Sequence, residues 1–335
     1  MVKFSHLRND TFEGRQVVII GDIVADQFLS GSISRVSREA PVFILKHEKT
    51  DTRPGGAANA AANVASLGGT PILIGVVGSD NNGDELFDSL RQANVGLEAI
   101  SRNGKATTTK VRVLAGQNYS PKQQVIRIDY ENNGVVDAEI RAVLVENLKK
   151  SSAAAHAIVI SDYGYGVVDQ RLFDESQRVA RDCNIPLIVD SRFRLREFNN
   201  ATSATPNLEE VEKLLGPGFS DDDCGELCRQ LGYESLLITC GNEGMLVVEA
   251  GAPPRRIAAV GSTVPVDVTG AGDTVIAAYA LGLSAGLTFY DAAVVANHAG
   301  GIVVMKKGTA TASIGELLGS LSENEENSSA QDISA

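Results

Sequence analysis

The residues Asp267-Val268-Thr269-Gly270-Ala271-Gly272-Asp273 lead into an alanine-rich stretch with helical character. Small residues at 270–272 let consecutive backbone N–H groups converge on one point, and a helix start adds the positive end of its dipole. Such a point holds a phosphoryl group and the charge that develops as it is transferred. A carboxylate beside an anion site is repelled by bound phosphate. Asp273 therefore reads as a base that takes the proton of an attacking hydroxyl. A glycine turn with an Asp near a helix start is also common without any chemistry, so this motif needs company.

Three further stretches supply candidates. In Arg53-Pro54-Gly55-Gly56-Ala57-Ala58-Asn59, a Gly-Gly pair opens a small-residue helix that a ligand could approach closely. Asn59 there has an amide that both donates to and accepts from sugar hydroxyls. A tightly packed alanine helix explains the same residues equally well. In Thr205-Pro206-Asn207-Leu208-Glu209-Glu210, Asn207 and Glu210 share a helical face and suit a hydrated magnesium ion. Asn207 is also an ordinary helix cap. Ile238-Thr239-Cys240-Gly241-Asn242-Glu243-Gly244 is a strand end running into a glycine turn that could line a nucleotide.

Several site types are missing. There is no Gly-x-x-x-x-Gly-Lys-Ser/Thr loop and no strand followed by Gly-x-Gly-x-x-Gly, which disfavours a P-loop NTPase and a standard dinucleotide-binding enzyme. No Gly-x-Ser-x-Gly elbow is present, which disfavours an α/β-hydrolase. The cysteines, Cys183, Cys224, Cys228 and Cys240, have no paired Cys-x-x-Cys spacing and read as reduced thiols, not as a zinc site.

The elements that must carry these residues alternate. Val17-Val18-Ile19-Ile20 is a continuous apolar run, as expected of a strand covered on both faces. Similar runs follow at Pro71–Val77, Ala157–Ile160, Pro186–Val189 and Ser235–Thr239. Helical patterns lie between and after them, at Ala57–Leu67, Gly83–Ala93, Asp137–Lys150, Asp169–Cys183 and Asn207–Leu215. This alternation predicts an α/β fold with a mostly parallel sheet between helices. Met245–Glu249 and Arg255–Ala259 read as strands of antiparallel character, and Ala271–Ala285 and Thr288–Met305 as alanine-rich helices. Two stretches break the rhythm. Phe28–Lys49 holds a short apolar strand, and Thr107–Tyr130 is a period-2 hairpin around a Gly116–Pro121 turn. Paired together, these insertions, about 28–49 and 105–131, would form a small β-sheet lid over the site.

Composition sets the outer bounds. With 43% hydrophobic and 21% charged residues, the chain of 335 is ordinary globular protein. The net charge of −12 excludes nucleic-acid binding as a main task, because phosphate contacts need a basic face. An anionic membrane surface is disfavoured for the same reason. No apolar run reaches the ~20 residues of a membrane span, and the polar start lacks the apolar centre of a signal peptide, so a cytoplasmic protein is expected. The polar, acidic segment 321–335 is expected to be a flexible tail. An anionic ligand then needs a local basic pocket. Arg53, Lys110, Arg112, Lys122 and Arg127 cluster around the insertions and the Gly-Gly motif.

Taken together, Gly-Gly-Ala-Ala-Asn early, Asn-x-x-Glu in the middle and Asp-x-x-Gly-Ala-Gly-Asp late resemble the ribokinase-like (PfkB) family of carbohydrate kinases, over roughly residues 15–318. Within it, the resemblance is strongest to D-glycero-D-manno-heptose 7-phosphate kinases, also found as the kinase half of bifunctional ADP-heptose synthesis proteins. It is carried by Gly21-Asp22-Ile23-Val24-Ala25-Asp26, Ser34-Arg35-Val36-Ser37-Arg38-Glu39-Ala40-Pro41-Val42, Gln124-Val125-Ile126-Arg127-Ile128-Asp129 and Ser161-Asp162-Tyr163, beside the motifs above.

The resemblance implies a ribokinase-like domain over 1–320 with the two lid insertions. It makes Asp273 the catalytic base and Gly270, Ala271 and Gly272 the anion hole. Asp26, Gly55, Gly56 and Asn59 fall in the sugar-binding group, with Arg53 and Arg127 as cations toward a sugar phosphate. Asn207, Thr239, Gly241, Gly244 and Asn297 fall on the nucleotide side, and Glu210 on magnesium through water. Asp267 and Thr269 fall at a monovalent-cation site suited to K+. The implied cofactor is Mg2+ with ATP, the implied partners are ATP and a sugar or sugar phosphate, and a homodimer paired through the lid is expected. The alternatives are another acceptor (ribose, a ketohexose, fructose phosphate or a nucleoside) or a non-catalytic sensor on the same fold. One departure bears on the acceptor. Ser191-Arg192-Phe193-Arg194 stands where heptose kinases continue Pro-Lys-Gly, so Arg192 or Arg194 is expected to replace the lysine.

Overall fold

The computed structural model describes residues 4, 7–117, 122–132, 136–262 and 264–332. The chain enters through β1 (Gln16–Gly21), then the long strands β2 (Ile23–Val36) and β3 (Phe43–Gly56). Next come α1 (Ala57–Ser66), β4 (Thr70–Gly78), α2 (Asn81–Gln92), β5 (Ile100–Asn103), β6 (Thr109–Gly116) and β7 (Gln123–Tyr130). The middle of the chain forms α3 (Ala138–Ser152), β8 (Ala157–Asp162), α4 (Gln170–Cys183), β9 (Leu187–Ser191), β10 (Ser203–Ala204), α5 (Leu208–Leu215) and α6 (Asp221–Leu231). It ends with β11 (Ser235–Thr239), β12 (Met245–Glu249), β13 (Arg255–Ile257), α7 (Ala271–Ser284), α8 (Phe289–Val303) and α9 (Ile314–Asp332).

A nine-stranded sheet in the order β13-β12-β11-β10-β9-β8-β1-β4-β5 forms the body. Only β12 runs against its neighbours. The run 17–20 explains its central position. Val17 and Ile19 join the core under α1, α7 and α8, while Val18 and Ile20 join the core under α3, α4 and α6. A strand with two buried faces has no room for polar alternation.

The two insertions pair as expected into a second sheet, β3-β2-β6-β7. Its inner pair, β2 with β6, is parallel, and the outer pairs are antiparallel. The lid begins sooner than the sequence suggests. β2 leaves the body at Ile23, one residue after β1 ends and Asp22 intervenes, and β3 returns at Gly56 directly into α1. The hairpin turn at 118–121 lies outside the described residues.

Other elements escaped the sequence reading. Edge strand β5 is short and polar, and β10 has two residues. α6 starts at a capping box, with the Ser220 side chain accepting from the Asp223 backbone N–H and Asp223 in turn accepting from Ser220 N–H. The acidic end is also helical: α9 continues through Asp332, because that segment contains no Pro or Gly to stop it. Residues 333–335 lie outside the described residues.

Position Gly21 carries the geometry of the strand end. A Cβ there would lie 1.9 Å from the Ser161 carbonyl oxygen of the paired strand. Backbone cannot yield as a flexible side chain does. Gly21→Ala is expected to lower unfolding free energy by about 1–3 kcal/mol, the usual range for overpacking, measured by urea denaturation.

Candidate active site

The chain leaves β1 toward one side of the sheet, to β4 and β5, and later returns on the other side of β1 with β8. A crevice opens beyond the carboxyl ends of strands where the order reverses in this way. Asp22, Asp162 and Asp190 sit at the ends of β1, β8 and β9. Beyond them lies a cavity of about 290 Å³, lined by Asp26, Gly56, Lys110 and Arg112 from the lid strands and by Tyr163 and Arg192 just past β8 and β9. Thr205, Asn207, Glu210, Thr239, Thr269, Gly270, Gly272 and Asp273 line the remainder.

Asp273 lies in the first turn of α7 and is almost fully buried. Its Oδ2 accepts from Asn59 Nδ2 at 2.9 Å, and its Oδ1 accepts from the Tyr163 hydroxyl at 2.7 Å. Burial pushes its pKa up to about 6; the two hydrogen bonds and Lys110 oppose that rise, and Asp26 adds to it. The alanines of α1 make the Asn59 contact possible. Ala57, Ala58, Ala60 and Ala61 are all fully buried, and α1 packs directly on α7. The packing reading of the Gly-Gly-Ala-Ala-Asn motif holds in the structure. Asn59 does not face the cavity with a free amide, as a sugar ligand would require. Its donors go to Asp273 and to the Gly270 carbonyl, and its Oδ1 accepts from Asn63.

Gly270 adopts φ +77°, and a Cβ there would meet Asn59 Nδ2 at 2.5 Å. Glycine is required by the close approach as well as by the turn. Gly270 and Gly272 border the cavity. The Ala271 N–H turns instead to the Val268 carbonyl at 3.2 Å. This turn bond engages the Ala271 N–H at the start of α7, where the first N–H groups of a helix have no partner within the helix.

Asp26 accepts from Arg112 at 2.5 Å and from the Thr309 hydroxyl at 3.1 Å. A Cβ on Gly55 would come 2.7 Å from the same carboxylate, and Gly56 holds φ +59° at the turn into α1. Asn207 and Glu210 form a reciprocal capping box at 2.9 Å each way while both line the cavity. Burial raises the Glu210 pKa, and burial with Glu210, Asp273 and Asp162 nearby raises that of Asp190 well above the carboxylate norm. Asp267 accepts from the N–H groups of Thr269 and Gly308 at 3.0 and 2.9 Å; burial works against its charge, but these bonds prevail and lower its pKa.

Other expected residues stand back from the cavity. Arg53 points away from it, donating to the carbonyls of Lys307 and Thr309 at 3.2 and 3.1 Å and pairing with Asp51. Arg127 pairs with Asp129 on the half-exposed lid edge, and Lys122 pairs with Glu48. Gly241 and Gly244 shape the turn between β11 and β12; a Cβ on Gly244 would lie 2.0 Å from the Ile257 carbonyl. Asn297 donates to the Ala258 carbonyl at 2.7 Å. Of the five lid-region cations, Lys110 and Arg112 reach the cavity.

The structure separates the two arginines of the Ser191–Arg194 segment. Arg194 is consumed by Asp162 at 2.6 Å and by the Val168 carbonyl. Arg192 lines the cavity and, among the described residues, forms no ion pair. Tyr163 and Asp190 were given no role from sequence alone. The available signal was position: each lies at or just past the carboxyl end of a central strand.

A mostly parallel sheet with a β lid, a buried carboxylate at a helix N-terminus and a cation-rimmed crevice define a phosphoryl-transfer enzyme of the α/β class. The chain belongs to the pfkB family of carbohydrate kinases, whose model matches residues 15–315. A protein described as bifunctional protein HldE from Alkalilimnicola ehrlichii is 41% identical over 321 residues, covering 94% of this chain and 65% of its own. Its counterpart in Coxiella burnetii is 38% identical, with 91% and 63% covered. The chain thus spans somewhat less than two thirds of these relatives. Among solved structures, Arabidopsis thaliana ribokinase complexed with ribose and ATP superposes with a TM-score of 0.70 at 20% identity, over 92% of this chain and 99% of that one. Phosphofructokinase-2 from Escherichia coli in complex with potassium gives 0.74 at 19%, over 92% and 98%. These structures establish a shared ribokinase-like fold. No helix among the described residues is long and apolar enough to cross a membrane.

A base must be ionised to accept a proton. With Asp273 raised to about 6, kcat/KM is expected to fall about tenfold per pH unit below that value in a pH–rate profile. Asp273→Asn should retain ATP binding and lose about 10²–10⁴ in turnover, measured by coupled ADP release.

Proposed function

We propose that this chain is an ATP-dependent kinase for D-glycero-D-manno-heptose 7-phosphate, acting on the anomeric hydroxyl to give the 1,7-bisphosphate. The observation that carries the reaction is Asp273, buried at the N-terminus of α7 and facing a cavity rimmed by Lys110, Arg112 and Arg192. Asp273 takes the hydroxyl proton, the sugar oxygen bonds to the γ-phosphorus, the bond to the β,γ-bridging oxygen breaks, and ADP leaves. Charge on the transferring group is met by N–H groups at the α7 terminus. Asp26 and Gly56 border the sugar side, and Thr239 and Asn207 the nucleotide side.

Magnesium bound with ATP would neutralise phosphate charge. Glu210 and Asp190 are the cavity carboxylates suited to it through water. No group of three or more His, Cys, Asp or Glu among the described residues is set to hold a metal ion unaided, so phosphate oxygens would complete its shell. The Asp267–Thr269 loop, with its ionised carboxylate, would serve a potassium ion.

The acceptor follows from the sequence resemblance to heptose 7-phosphate kinases and from similarity to the HldE proteins. Cations at the cavity suit a phosphorylated sugar: Lys110, Arg112 and Arg192 are there, and Arg112 alone of these is paired with a carboxylate. An ATP-consumption screen across heptose 7-phosphate, fructose 6-phosphate, ribose and nucleosides decides the matter. Heptose 7-phosphate is expected to give the highest kcat/KM, and a clear preference for unphosphorylated sugars would exclude it.

A homodimer through the lid is part of the same reading. Ile126, Ile128 and Tyr130 share one face of β7 and are 54%, 41% and 57% exposed. An apolar row of this kind on a lid needs a cover. The double variant Ile126→Lys, Ile128→Lys should convert a dimer to a monomer by light scattering while the fold is retained.

A further inference from the structure

We propose that Tyr163 is a positioning residue for phosphoryl transfer: its hydroxyl fixes the Asp273 carboxylate in the orientation that leaves a lone pair of the base facing the acceptor. This inference rests on the proposed kinase reaction and adds a residue that reaction did not require.

The geometry is a two-sided clamp. Tyr163 Oη donates to Oδ1 at 2.7 Å, from the loop after β8. Asn59 Nδ2 donates to Oδ2 at 2.9 Å, from α1 on the opposite side. Two donors on separate oxygens fix the plane of a carboxylate, whose terminal torsion is otherwise soft. Each oxygen keeps a second lone pair for the incoming proton.

Tyr163 is itself held at three points. Its backbone N–H donates to Asp22 Oδ2 at 2.8 Å, in a set of three with Tyr165 and Val167. Its ring lies against the Gly56 turn, where a Cβ would come within 3.4 Å of Cε2. The Lys110 ammonium stacks 4.8 Å from the ring centroid. Lys110 belongs to lid strand β6, so the same tyrosine touches the base, the strand end and the lid.

The chemistry favours a phenol here. A guanidinium at this distance would stabilise the carboxylate strongly and weaken it as a base. A neutral donor orients it with a smaller penalty to basicity. Burial and the neighbouring Asp273, Asp190 and Asp26 raise the Tyr163 pKa well above its ordinary value, so the hydroxyl stays a donor. The charged groups that share the cavity with Asp273 are Asp26 from β2, Lys110 and Arg112 from β6, Asp162 from β8, Asp190 and Arg192 at the end of β9, and Glu210 from α5. None of them donates a hydrogen bond to the Asp273 carboxylate among the described residues.

Tyr163→Phe keeps the ring and removes the donor. Its kcat is expected to fall about tenfold with acceptor and ATP KM nearly unchanged, as for loss of one hydrogen bond to a charged group. The donor favours the ionised base, so its loss should move the acidic limb of the kcat profile to higher pH. Replacing Tyr163 by 3-fluorotyrosine, a more acidic donor, should move the limb to lower pH, and it serves also if the Phe variant does not fold. Titration of Asp273 by ¹³C-carboxyl NMR in the free protein reads the same contact without any acceptor. A protein that phosphorylates no sugar would sink the kinase reading, while the NMR midpoints would still decide the contact. An unchanged midpoint in both variants, or a loss in KM with kcat intact, overturns the inference.

Discussion

Among the described residues, the buried Asp273 carboxylate has no cation bonded to it, and the surrounding structure is arranged to make that state tolerable. Isolated burial of an ion costs several kcal/mol even after relaxation, roughly enough to offset much of a domain's net stability. Here the charge is met by an amide from α1, a phenol from the β8 loop and the dipole end of its own helix. Each of those donors must arrive from a separate part of the chain. Residue 59 lies 214 positions from Asp273, and residue 163 lies 110. The fold is what delivers them.

The delivery depends on buried carboxylates of a second kind. Asp22 gathers three backbone N–H groups, from Tyr163, Tyr165 and Val167, and Asp162 gathers Arg194 and the Ser191 hydroxyl. Burial raises the Asp22 pKa to about 6 while the backbone bonds oppose it. These two side chains tie the loop after β8 to the strand ends, and so set where Tyr163 and Arg192 stand.

The sheet, both alanine-rich helices and the lid were legible in sequence because each has a strong local signature. The 17–20 run has two buried faces, the 107–130 segment alternates, and Gly55-Gly56 marks the turn into α1. Asp273 drew notice because small residues precede it at the start of a helix. What sequence could not reveal was partnership. Nothing local in Arg53 says that its guanidinium donates to the carbonyls of 307 and 309, or in Asn59 that its amide donates to the Asp273 carboxylate. The cations were countable, but only the strand order separates Lys110 and Arg112, on inner strand β6, from Arg127 and Lys122, on or beside edge strand β7. The acidic end misled through composition, since charge and polarity alone do not stop a helix.

The β2–β3 half of the lid has no linker. Only Asp22 separates β1 from β2, and β3 ends directly at α1, so Asp22 and Gly56 act as the fulcrum of a lever whose far end is the β2–β3 tip. Arg53, Asp26 and Thr309 brace that lever against the bend at 307–309, which also receives the Asp267 carboxylate through the Gly308 N–H. Any tilt of the lid therefore turns about points that touch Tyr163, the Gly270 turn or their immediate neighbours. The attachment of the lid and the setting of the Asp273 carboxylate thus share one stretch of backbone.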